Sequence, residues 1–101
     1  MSKKVIGMHF VCRNSANIEE LGDGWFKSGH WKVSEEHAKT AEYIALHETK
    51  TAPSYKQGNI KDYVLGPHGN GRFTFYVKET HESRDWCGDG TGEKGYLWTE
   101  S

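Results

Sequence analysis

A chain of 101 residues with 35% hydrophobic and 27% charged residues can bury one modest core and has no room for a second lobe, so a single domain over residues 1–101 is expected. A formal net charge of −1 excludes a molecule that attracts duplex nucleic acid by its overall field. The charge is mildly polarised, with +2 over residues 1–61 and −3 over residues 62–101.

Val5-Ile6-Gly7-Met8-His9-Phe10-Val11-Cys12 is nearly continuous in apolar character and reads as a strand buried on both faces or central in a barrel. A loop at residues 13–17 is expected to follow, and then Ile18-Glu19-Glu20-Leu21 as a single helical turn closed by Gly22. The stretch 22–29 is glycine-rich and carries Trp25 and Phe26, so it reads as a flexible loop whose rings must dock somewhere.

The stretch 29–58 organises the rest of the chain. Ser34 precedes Glu35-Glu36-His37-Ala38-Lys39-Thr40-Ala41, a short helix over about 34–41 with Ser34 as N-cap and two glutamates where the helix dipole favours them. Tyr43-Ile44-Ala45-Leu46-His47 follows as a strand, and Pro53-Ser54-Tyr55 turns the chain towards Gly58.

Residues 59–65 read as another strand and 66–71 as a glycine-rich turn. Residues 72–78 alternate, with Phe73, Phe75 and Val77 on one face and Arg72, Thr74, Tyr76 and Lys78 on the other. Strands 59–65 and 72–78 therefore form an antiparallel hairpin. Tyr96-Leu97-Trp98 is expected as a short closing strand. The sum is a mostly β (α+β) domain of about five strands and one short helix, closing as a small β-barrel.

Sequence motifs for catalysis or metal binding are weak. Gly90-Thr-Gly92-Glu-Lys-Gly95 spells GxGxxG but has no helix to open, so no phosphate-binding turn is expected. The pairs His47-Glu48 and His81-Glu82 lack the second histidine of a zinc helix. Cys12 and Cys87 form no CxxC pair, and no serine sits in a GxSxG elbow. No metal, cofactor or catalytic residue is assigned. Without an apolar stretch of membrane-spanning length or a signal-peptide pattern, a cytoplasmic, reduced protein is expected, with Cys12 buried and Cys87 in a loop.

Thirteen per cent aromatic residues is more than a small, leucine-poor core needs. Trp25, Phe26, Trp31, Tyr55 and Trp86 fall in or beside expected loops, interleaved with Lys27, His30, Lys32, Lys50 and Lys56. Flat rings beside cations suit a stacked base and its phosphates, with Lys27, Lys32 and Lys56 as phosphate contacts. The plainer alternative is that the rings plug the ends of a small barrel.

Trp31-Lys-Val-Ser34-Glu-Glu-His37-Ala-Lys-Thr40, then a strand, then Gly58-Asn-Ile60 opening the next, resembles the EVE family of the PUA-like superfold over about residues 25–78. The resemblance implies a PUA-like barrel whose pocket beside the helix start accepts a flipped, often modified, nucleobase, with Trp31 and Ser34 as pocket positions. Tyr55 and the 22–29 loop are added on chemical grounds. The expected function is a reader of a modified or extruded base in DNA or RNA, without catalysis. Two alternatives stay open. One is a small amidohydrolase on a modified nucleoside like those of the related ASCH group, drawing on Lys39, Thr40 and Glu42. The other is a protein-interaction module of a phage or defence system.

Overall fold

The computed structural model describes residues 3–13, 18–65, 71–87 and 94–100. Strand β1 (Lys3–Val11) is the apolar run of the N-terminus, and its residues from Gly7 onwards are buried. It runs between β4 (Tyr43–His47), to which it is parallel, and β7 (Lys94–Glu100), to which it is antiparallel. All five residues of β4 are buried, as a strand covered on both faces must be.

Strands β5 (Lys56–Leu65) and β6 (Arg72–Thr80) form the expected antiparallel hairpin, with Tyr63 opposite Phe75 and Leu65 opposite Phe73. Phe73, Phe75 and Val77 all point into the core. The turn at 66–70 lies outside the described residues, as does the glycine stretch 88–93.

Two expectations are corrected at the N-terminal side. Residues 18–22 are not a helical turn but strand β2 (Ile18–Gly22), and the supposed loop is its partner β3 (Trp25–Lys32). The physical reason is the Gly22-Asp23-Gly24 turn. All three residues have positive φ, the backbone that a tight hairpin between twisted strands requires. The i, i+3 spacing of Ile18 and Leu21 mimics a helix, but tertiary pairing decides for the strand.

The mostly β architecture with one short helix is as expected, but among the described residues the strands number seven, in the order β2-β3-β6-β5-β4-β1-β7. The sheet is not closed: β2 and β7 remain its two edges. It curls far enough that Trp31 of β3 stacks flat on Phe10 of β1, with ring centroids 4.1 Å apart, across the core. Where a barrel would have a ladder, the Lys94 ammonium at the start of β7 donates to the Lys32 carbonyl of β3 at 2.6 Å. Inside the curl lie Met8, Phe10, Phe26, Ile44, Leu46 and Phe75, all without solvent exposure.

Helix α1 (Glu35–Thr40) stands where it is expected. The Ser34 hydroxyl oxygen accepts from the His37 backbone N–H at 3.2 Å, and Glu35 and Glu36 occupy the first turn. The helix docks through buried Ala38, the Thr40 hydroxyl on the Val5 carbonyl (2.6 Å) and the His37 ring against Tyr96. Among the described residues no helix is long and apolar enough to cross a membrane.

Candidate functional site

Two regions gather polar chemistry. The first lies on the outer face of β1 and β4, beneath residues 82–87. The inner face of β1 takes Met8 and Phe10, so alternation turns His9 outwards, and in β4 it turns Tyr43 and His47 the same way. His9 and His47 are nevertheless buried, because residues 82–87 cross over them.

The crossing segment is held at both ends. The Ser54 N–H donates to the Arg84 carbonyl (2.8 Å), the Arg84 N–H to the Ser54 hydroxyl (2.9 Å), and the Ser83 hydroxyl to the Ser54 carbonyl (3.0 Å). Further on, the Cys87 thiol faces the Tyr96 carbonyl. Two glycines make the crossing feasible. A Cβ at Gly95 would collide with the Cys87 carbonyl, and one at Gly7 would enter the Tyr43 ring.

The hydrogen bonds beneath the segment have one direction. His47 Nδ1 lies 2.8 Å from the Ala52 carbonyl, which can only accept, so His47 carries its proton there. In its neutral form His47 presents Nε2 as an acceptor, 2.9 Å from His9 Nδ1, which then donates. His9 Nε2 is left to accept from the Tyr43 hydroxyl at 2.9 Å. Burial holds the His9 pKa down to about 4, helped by the neighbouring His47 and Arg84, so His9 is neutral at ordinary pH. Burial raises the Tyr43 pKa, while Arg84, whose guanidinium lies 3.7 Å from the ring centroid, opposes that shift. Trp86 stands edge-on to both imidazoles. Every ring nitrogen of the two histidines has a partner, so the row is a satisfied buried network.

The second region is a cleft of about 250 Å³ lined by Ile18, Glu19, Lys27, Gly29, His30 and Thr74. It lies where β3 bulges between Ser28 and Trp31 against β6. Gly29 forms part of its floor, and the Thr74 hydroxyl lies where a Cβ on Gly29 would be, 2.6 Å away. Thr74 Oγ1 and His30 Nδ1 are 3.2 Å apart, and the Arg72 guanidinium reaches the His30 carbonyl at 3.4 Å.

Beside the cleft, Lys32 and Arg72 are paired in register across β3 and β6, and Lys94 reaches Lys32 from β7. All three side chains are exposed, and none has a carboxylate partner among the described residues. The other two lysines expected to contact phosphate differ. Lys27 pairs with Glu19 at 3.2 Å, and Lys56 pairs with Glu20 and Glu79 at 2.5 and 3.2 Å while lying over the Phe26 ring.

The expected ring pocket is not assembled as one group. Phe26 is a core residue without exposure, and Trp31 lies against Phe10 with its indole N–H donating to the Ser28 hydroxyl at 2.8 Å. Ser34 uses its oxygen as the helix cap. Trp25 sits under the Lys78 ammonium at 5.5 Å, on the side of β3 that adjoins the β2 turn. Tyr55 is exposed and donates its hydroxyl to the Cys12 carbonyl. Trp86 alone of the set joins a polar cluster, the histidine row.

Lys39, Thr40 and Glu42 do not converge on one cavity. Thr40 bonds to Val5, Lys39 lines a smaller cleft with Ile60, Lys61 and Tyr63, and Glu42 is exposed. Cys12 is buried, Cys87 is half-buried, and no disulfide joins them. Among the described residues no three His, Cys, Asp or Glu side chains gather as metal ligands would.

The residues missed in the sequence are His9, Tyr43, His47 and Arg84, together with Arg72, Thr74 and Lys94. A signal for the first three existed, since polar side chains stood inside two runs too apolar to face water.

Comparison with protein-family models, with curated proteins and with solved structures found no match. The chemistry of the two regions therefore carries the functional argument.

Proposed function

We propose that this protein is a nucleic-acid-binding module that receives an extruded nucleobase, modified or not, in the Gly29 cleft and grips the adjoining backbone with Lys32, Arg72 and Lys94. The observation that carries this reading is the contrast among the cations. Lys27 and Lys56 are paired with glutamates, whereas Lys32, Arg72 and Lys94 beside the cleft have no carboxylate partner among the described residues, in a chain of net charge −1. Three exposed cations beside the cleft are suited to successive phosphates, and the polar lining of His30 and Thr74 is suited to a base edge. What supports an EVE-type, PUA-like assignment is the Ser34-capped helix set between strands of one strongly curled sheet. Two cysteines with no disulfide between them fit a reducing compartment such as the cytoplasm.

The test is a fluorescence-anisotropy titration with single-stranded oligonucleotides over a series of salt concentrations. Three phosphate contacts give a slope of log K against log salt of about −2. Each of Lys32→Ala, Arg72→Ala and Lys94→Ala should weaken binding to all sequences alike and flatten that slope by just under one. Binding that is absent, or unchanged in the triple variant, would refute the reading.

One observation favours a second reading, a protein-binding module. Val64 and Leu65, adjacent at the end of β5, are 43% and 56% exposed. Val64→Lys with Leu65→Lys would then abolish a stoichiometric protein complex and leave oligonucleotide binding unchanged.

A further inference from the structure

The cleft has one wall of fixed polarity. Glu19 and Lys27 are register partners across β2 and β3, and their carboxylate and ammonium lie 3.2 Å apart on the lining. A carboxylate can only accept hydrogen bonds, and an ammonium can only donate them. His30 and Thr74, also on the lining, can each do either, so they adapt to whatever is presented. Ile18 adds an apolar surface, and the absence of a side chain at Gly29 lets the Thr74 hydroxyl stand on the lining.

An extruded base offers its pairing edge to such a wall. Cytosine and adenine carry an amino group beside an unprotonated ring nitrogen, a donor next to an acceptor. Uracil, thymine and hypoxanthine carry a carbonyl beside a ring N–H, which is the reverse. We infer that the cleft selects bases of the first kind, with Glu19 accepting from the exocyclic amino group and Lys27 donating to the neighbouring ring nitrogen. This rests on the nucleobase-binding reading above and adds to it the chemical class of base. A base of the second kind would set its carbonyl against the Glu19 carboxylate, acceptor against acceptor. The spacing of the ion pair matches adjacent groups on one base edge, so a single ring can meet both side chains. The neighbouring Glu20 is engaged differently: it pairs with Lys56 and is not part of the cleft lining.

The experiment uses thymidine oligonucleotides that are identical but for one central base, cytosine against uracil and adenine against hypoxanthine. Affinities are measured for wild type, Glu19→Gln and Glu20→Gln, with a thermal melt of each. The wild type should prefer the amino-bearing member of each pair by about tenfold. Glu19→Gln, whose amide can also donate, should bring both preferences close to unity by strengthening binding to uracil and hypoxanthine. Glu20→Gln should retain them. Equal wild-type binding within each pair, with the salt slope intact, would overturn this inference and leave the reader function standing. A preference that survives in folded Glu19→Gln would overturn it as well. No binding to any oligonucleotide would remove the reader function and this inference together.

Discussion

When both rings are neutral, the proton between His9 and His47 belongs to His9 Nδ1, and the Ala52 carbonyl, on the far side of His47, decides this. Two neutral imidazoles 2.9 Å apart are compatible only while one of the facing nitrogens is bare. Adding a proton to the pair places a charge in a buried site that already has the Arg84 guanidinium on the adjacent Tyr43 ring.

Acid should therefore destabilise the fold in a defined window. An unfolded histidine takes up its proton near pH 6.5, whereas folded His9 does so only near pH 4. Between these values the unfolded chain binds more protons, so stability is full above about pH 6.5 and falls as the pH drops towards 4. The shift corresponds to about 2–3 kcal/mol, allowing for some water access. Urea melts at pH 7.5, 6, 5 and 4 should reveal this slope, and His9→Gln should flatten it. A slope that persists in His9→Gln would assign it to other groups.

Gly95→Ala should lift residues 86–87 off the sheet, since the new methyl group would overlap the Cys87 carbonyl and lie 3.1 Å from the Trp86 ring. The readout is acrylamide quenching of Trp86 fluorescence in a variant retaining only that tryptophan. Quenching should rise in Gly95→Ala; unchanged quenching would mean the crossing segment does not rest on Gly95.

Phe75→Ala should cost about 3–5 kcal/mol, because the ring is fully buried between Phe73, Tyr63 and the rest of the core. For a domain of this size that is a large share of the total stability, and a denaturant midpoint should register it directly.

Ser34→Ala and Trp31→Ala separate folding from binding. Loss of the cap should cost about 1 kcal/mol and leave oligonucleotide affinity unchanged, since the hydroxyl oxygen is engaged with the His37 N–H. Loss of the Trp31 ring should cost about 3 kcal/mol through its stack on Phe10. Its affinity, measured where the variant is folded, should equal that of wild type. A selective affinity loss in either variant would return the base site to the helix start.

The sequence alone determined what depends on near neighbours in the chain. Ser34 with Glu35 and Glu36 specified the helix, because a cap acts within one turn. The alternation of Phe73, Phe75 and Val77 specified which face of β6 is buried, because the period of a strand is two residues. The tertiary structure decided what depends on chain segments that meet from afar. Ile18-Glu-Glu-Leu is locally ambiguous and became a strand by pairing with β3. Trp31, beside a lysine and a histidine, had the composition of a ligand contact and became core because the curl of the sheet brings Phe10 beneath it. His9 and His47 lie 38 positions apart and meet only because β1 and β4 run parallel, a pairing that leaves no local trace in either strand. The cleft arises in the same way, from a bulge in β3 set against Thr74 of β6, and the exposed cations beside it come from three different strands.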